Sequence, residues 1–307
     1  AANSLNRILL DDFSTVQNPS TVAYLRSTND TLRLGDTTTN LTGVINYSYS
    51  QYRLQPTGTV NFTAANARPA TPPSVGGTLK VASFNVLNYF TTFGSRGADN
   101  QFEFDRQRTK IITAMLSIDA DIVGLMEIEN DGYGSESAIQ TLANELNQTQ
   151  MPGFEYSIIT PNSSFLGTDE IAVGLLYRAE KVTPVGSALV LNTANSPLDD
   201  NSEPLFDDTK NRPALIQNFA VNGHEITIAV NHLKSKGSAC GEVDEGSDGQ
   251  GNCNIKRTRA AQALVEFLAN VESDGVMILG DLNAYSQEDP MQVFYAADFT
   301  NLKYTAA

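Results

Sequence analysis

Val276-Met277-Ile278-Leu279-Gly280-Asp281-Leu282-Asn283-Ala284-Tyr285 decides how the second half of this chain is read. Four apolar residues end in a glycine, and a carboxylate and a carboxamide follow two positions apart. So short an apolar run reads as a fully buried strand, and the glycine lets the chain turn at its carboxyl end. If the turn stays extended, the period of two sets Asp281 and Asn283 on one side. A carboxylate and a carboxamide held at a sheet edge suit an attacking water, a phosphate or a hard cation. Alone, the same residues equally describe a turn in which Asp281 caps the next element.

Working outward, strands alternate with helices from residue 79 onward. The patterning predicts strands over 79–86, 121–126, 171–177, 215–221, 225–230 and 276–279. It predicts helices over 106–116, 136–146 and 255–271, the second capped by Ser135. Asn222-Gly223 between two strands signals a hairpin. A hairpin inside a strand–helix alternation implies mixed sheets in a layered α/β sandwich. Upstream, residues 66–77 are rich in Pro, Gly and Ser and read as a semi-stiff linker. Residues 1–65 read as a small all-β module, barrel or sandwich, with strands over 31–34, 41–49 and 51–56.

The chain has 307 residues, with 20 basic against 35 acidic side chains and a net charge of −15. That balance argues against indiscriminate coating of DNA and against docking on anionic membranes. It leaves room for a nucleic-acid enzyme with a local basic groove and bound cations. No apolar run approaches the roughly 18 residues a membrane span needs. The chain opens without a basic segment and apolar core, so no signal peptide is expected in these residues, which read as a mature form or an excised fragment. Cys240 and Cys253 lie in a Gly/Asp-rich loop and read as one disulfide of an oxidising compartment, with two free thiols as the alternative.

Four predicted strands end in the same palette: Asn85, then Glu127, then Asn231 with His232, then Asp281 with Asn283. Strand ends on one sheet edge converge where such folds place ligands. Each has a plainer reading as well. Asn85 suits a turn, Glu127 shares an acidic stretch with Glu129 and Asp131, and a lone histidine is often structural.

The chain resembles the endonuclease/exonuclease/phosphatase superfamily of DNase I-like enzymes over about residues 79–300. The resemblance is carried by VASFNVLNYF (81–90), DIVGLMEIEN (121–130), IAVGLLYR (171–178), NRPAL (211–215), VNHLKSK (230–236) and LGDLNAY (279–285). The wording is similar to secreted bacterial extracellular nucleases of the ExeM/NucH type. The resemblance implies an α+β fold, a four-layer sandwich of two mixed sheets flanked by helices. That domain would span 78–307, after an OB-like domain at 1–65. It implies a metal-binding Glu127 helped by Asn85. Asp281 and Asn283 would orient water and phosphate, His232 would act as an acid/base group on the phosphate, and Arg212 would lie near the bound strand. Asn231, Lys234 and Lys236 are placed with the substrate, in a basic cluster that continues to Lys256, Arg257 and Arg259.

The expected function is a secreted, metal-dependent nuclease that hydrolyses extracellular DNA, or RNA, by attack of an activated water. The expected ion is Mg²⁺ or Mn²⁺, with Ca²⁺ as a structural or activating ion. A monomer without protein partners is expected. The alternatives are a phosphatase or phospholipase-type phosphodiesterase of the same superfamily, and a catalytically inactive surface or binding protein. One departure stands out: the family's late Asp-His pair has no counterpart, because the two histidines are His224 and His232. The sequence reading therefore expects the domain to lack its C-terminal strands, and residues 1–307 to bind metal poorly and be inactive. The loop 237–254 carries Glu242, Asp244, Glu245 and Asp248. It reads as a Ca²⁺ site, a rigid substrate edge or a solvated acidic loop, and its spacing matches no EF-hand.

Overall fold

The computed structural model describes residues 5–16, 22, 24, 32–149, 153–243, 245 and 247–304. The chain divides into two compact units, Ala1–Pro72 and Pro73–Ala307.

In the first unit, β3 (Gly43–Ser48) and β4 (Gln51–Pro56) form an antiparallel hairpin, and β1 (Leu9–Leu10) pairs with β4 in parallel. β2 (Thr37–Thr38) and β5 (Phe62–Thr63) form a separate antiparallel ladder. The strand expected over 31–34 is absent at 32–34, and Thr31 lies outside the described residues. There Asp36 closes a turn instead: its carboxylate accepts from Arg33 N (2.8 Å), and its own N–H donates to Arg33 O (3.0 Å). Gly35, at φ 97°, makes that turn cheap.

The second unit holds two mixed four-stranded sheets. One runs in the order β6 (Val81–Tyr89), β7 (Ile122–Glu129), β9 (Ile171–Arg178), β8 (Tyr156–Ile158). The other runs β10 (Thr183–Leu191), β11 (Arg212–Val221), β12 (His224–His232), β13 (Gly275–Asp281). Asn222 and Gly223 form the two-residue turn between β11 and β12, both at positive φ (51° and 83°).

The sheets meet face to face. A Cβ on Gly124 of β7 would press on Val230 and Leu279 of the second sheet at 3.0–3.1 Å. On the other face, a Cβ on Gly174 would strike Ile139 of helix α2 at 2.6 Å. Helices α1 (Gln101–Ile118) and α2 (Ala138–Asn147) share the core of the first sheet, while α3 (Asn254–Leu268) and α4 (Asp289–Ala296) cover the second. Strand periodicity sorts the layers. Ile228, Val230, Met277 and Leu279 point between the sheets; Ala229, Leu233, Val276 and Ile278 point to the helices.

Two of these elements correct an expectation, and three others were not foreseen. β13 has seven residues, and those from Val276 on are half-buried rather than fully buried, because β13 is the outer strand of its sheet among the described residues. α2 is capped by Ser137, whose Oγ accepts from Gln140 N, not by Ser135. β8, β10 and α4 had no counterpart in the sequence reading; Pro184 and the positive-φ Gly186 break the period of β10.

Candidate active site

The local sequence bends the strand ends toward one another. β6 bulges after Asn85, with Leu87 and Asn88 at φ 55° and 50°. β7 bulges at Glu127, at φ 65°. Positive φ at a leucine and a glutamate costs about 1–3 kcal/mol each and is retained where a site requires it. Gly280 sits at φ 135°, and a Cβ there would lie 1.9 Å from Asn231 O, so only glycine lets β13 approach β12 so closely.

Glu127 Oε1 accepts from Asn85 Nδ2 (2.9 Å), and Oε2 accepts from Asn88 N (3.0 Å). The same Asn85 amide reaches Asp281 Oδ2 at 3.5 Å. One NH₂ thus bridges carboxylates from the two sheets. The Asn85 oxygen is held by Leu87 N (2.9 Å), so Asn85 orients Glu127 instead of presenting a free oxygen to a metal.

Arg212, His232 and Asp281 are register partners across β11, β12 and β13. His232 Nε2 lies 4.0 Å from Glu127 Oε1. Burial, and then the Arg212 charge, hold the His232 imidazole below its ordinary value, so it is neutral at pH 7. Its buried Nδ1 and the buried Nε of Arg212 have no hydrogen-bond partner among the described residues. Burial also lowers Arg212, and Asp169 opposes that shift.

Asp169 was not foreseen. It accepts from Arg212 Nη2 (3.1 Å) and Arg96 Nη1 (2.7 Å). Asn130 fixes its loop, donating from Nδ2 to Leu166 O (3.1 Å) and Asp169 O (2.9 Å). Glu129 is spent on the β6 exit, accepting from Thr91 N (2.7 Å) and Thr92 N (3.2 Å) and pairing with Thr92 Oγ1. It is therefore a tie between strands, not part of a solvated acidic stretch.

Asn283 is not extended. At φ 47° its N–H folds back onto Asp281 Oδ1 (3.0 Å), and its Nδ2 donates to Leu233 O (2.9 Å). The side chain so held fixes Asp281 and leaves its own oxygen available. Asn231 sits on the opposite face from His232, with Ala229 and Leu233, and donates to Ala229 O (3.1 Å). It belongs to the sheet, not to a substrate surface.

Most of the basic cluster is tied up within the fold, by carboxylates or by backbone carbonyls. Lys236 pairs with Glu288 (2.5 and 2.7 Å) and lies over the Tyr285 ring. Lys256 pairs with Asp207, Arg259 pairs with Asp199, and Arg257 is buried on the carbonyls of Lys234 and Asn252. Lys234 is held beside the site because its N–H donates to Asn211 Oδ1 (2.9 Å). Burial and Arg212 lower its pKa.

Cys240 and Cys253 form the expected disulfide. The loop's acids are structural. Glu242 caps α3 through Ile255 N (3.1 Å) and Lys256 N (2.7 Å). Glu245 accepts from Cys240 N (2.6 Å), Gly241 N (2.8 Å) and Cys253 N (2.9 Å). Asp248 accepts from Gln250 N (2.8 Å), and Asp244 lies outside the described residues. Cys240, Glu245 and Cys253 approach one another, but oxidised sulfurs are not the thiolates a metal needs.

Glu127 and Asp281 face each other with no lysine or arginine paired to either among the described residues. Two carboxylates with room for water are the hard-oxygen set in which Mg²⁺ or Mn²⁺ keeps part of its hydration. The residues present therefore fit such an ion.

No family model matches the chain, and no curated protein matches it. Among solved structures it is similar to the human nocturnin catalytic domain with bound sulfate, at 16% identity and a TM-score of 0.46, covering 71% of this chain and 68% of that one. It is similar to D. rerio TDP2 complexed with single-strand DNA product, at 13% identity and TM-score 0.41, covering 72% and 64%. It is also similar to an endonuclease/exonuclease/phosphatase from Bacteroides vulgatus, at 15% identity and TM-score 0.47, covering 71% and 70%. The chain spans less than two thirds of the TDP2 chain's length.

Proposed function

We propose that the chain is a metal-dependent phosphodiester hydrolase of the endonuclease/exonuclease/phosphatase kind, acting on extracellular DNA or RNA. One observation carries the reading: the Asn85 amide of β6 bridges Glu127 of β7 and Asp281 of β13, and His232 of β12 lies 4.0 Å from Glu127. The six motifs in family order support the family. The disulfide supports secretion into an oxidising compartment. The OB-like reading of the first unit rests on the resemblance alone.

In this mechanism Glu127, oriented by Asn85, would hold a divalent ion. When bound, such an ion neutralises charge building on the phosphate and its leaving oxygen. Arg212, steadied by Asp169, offers guanidinium donors to a phosphate oxygen. Neutral His232 donates its remaining N–H to the same group. Asp281, held by Asn283 N–H, orients the attacking water and takes its proton. Positioning and electrostatics supply most of phosphoryl-transfer catalysis, so loss of either carboxylate is costly.

The test uses the complete encoded chain with plasmid DNA, RNA and sphingomyelin, with Mg²⁺ and with EDTA. Metal-dependent cleavage of nucleic acid alone is expected. Cleavage of sphingomyelin alone would replace this reading with the phospholipase-type one. No cleavage of any would point to a binding protein.

A further inference from the structure

A cavity of about 530 Å³ opens between the turn after β7 and the turn after β8. Its lining includes Asp131, Tyr133, Thr160, Asn162, Ser164 and Phe165. Phe165 exposes 54% of its surface, and its carbonyl accepts from Ser163 Oγ (2.9 Å), which steadies the turn. Tyr133 packs on the core beneath. No lysine or arginine lines the cavity, and Asp131 adds negative charge, so a phosphate is a poor occupant. An exposed ring ringed by hydroxyls and an amide suits a flat, uncharged heteroaromatic group.

Both walls lead to the candidate site. Asp131 lies four residues past Glu127, at most about 13 Å of chain away. Phe165 lies four residues before Asp169, the partner of Arg212. Asn130 ties the walls together: its N–H donates to Glu170 O (2.8 Å), and its Oδ1 accepts from Leu166 N (3.1 Å). We infer that this cavity seats an unpaired nucleobase of the substrate strand, stacked on Phe165 and a nucleotide or so from the scissile phosphate. The inference rests on the nuclease reading above.

The chain has no tryptophan, so Phe165→Trp introduces a single indole at this ring. In an Asp281→Asn background with Mg²⁺, short oligothymidylate is titrated against an abasic oligonucleotide of equal length. Saturable quenching by oligothymidylate alone is expected. In the same background, Phe165→Ala should weaken oligothymidylate binding by roughly tenfold and erase its advantage over the abasic strand. Equal quenching by both strands, or by neither, overturns the base site even if the wild-type chain cleaves DNA. Absence of any Mg²⁺-dependent cleavage of nucleic acid by the complete encoded wild-type chain overturns the underlying reading and the base site with it.

Discussion

Two acidic clusters of the second unit use their carboxylates in opposite ways. In the loop closed by Cys240 and Cys253, Glu242 and Glu245 are saturated by backbone N–H groups of the loop and of α3. At the strand ends, Glu127 and Asp281 face each other across one Asn85 amide with no lysine or arginine between them. A carboxylate filled by several backbone N–H groups stabilises; Glu127 and Asp281 take one backbone N–H each and share the Asn85 amide, which leaves them room for a divalent cation. The difference separates structural from reactive acids better than acidity along the sequence does.

Variants should break that contrast in opposite directions. The largest effect expected is from Asp281→Ala: cleavage by the complete chain should fall on the order of a thousandfold, with little change in the urea midpoint. In the other cluster, replacing both Cys240 and Cys253 by serine should cost about 3 kcal/mol of stability, measured by urea unfolding, and leave cleavage largely intact. Arg212→Ala should raise KM and lower kcat, whereas Lys236→Ala, which breaks the pair with Glu288, should act mainly on stability. Steady-state kinetics beside thermal melts separate the two. Glu242→Ala should cost about 1 kcal/mol as a lost helix cap, with unchanged kinetics.

The smallest effect is a pH dependence. The N–H groups of Cys240, Cys253 and Gly241 hold Glu245 below its ordinary 4.5. A lowered carboxylate contributes stability above pH 4.5 and loses it as pH falls through the folded value. The gap in urea midpoint between wild type and Glu245→Gln should be constant above pH 4.5 and close below it. A gap that widens on acidification would contradict this.

Much of the site was legible because an apolar run stops at a polar residue in each of β6, β7, β12 and β13, at the bulges of the first two and the carboxyl ends of the last two. Asp169 was missed because it precedes β9. β9 runs antiparallel to β7, so its amino end lies at the same edge. Arg212 opens β11, antiparallel to β12, and was found only through the family motif. Asn231 was placed with the substrate because it adjoins His232, but neighbours on a strand face opposite ways. Lys236 and the basic residues after it looked like a phosphate track because their partners, Glu288, Asp207 and Asp199, are distant in sequence. The extended turn assumed for Asp281–Asn283 failed because Asn283 takes positive φ and returns its N–H to Asp281.

The most direct test of the central claim is Glu127→Ala in the complete encoded chain, assayed for plasmid cleavage across a Mg²⁺ titration with EDTA controls. The account predicts a loss on the order of a thousandfold that added Mg²⁺ does not restore, with an unchanged melting temperature. Cleavage within tenfold of wild type, or wild-type cleavage indifferent to EDTA, would contradict it.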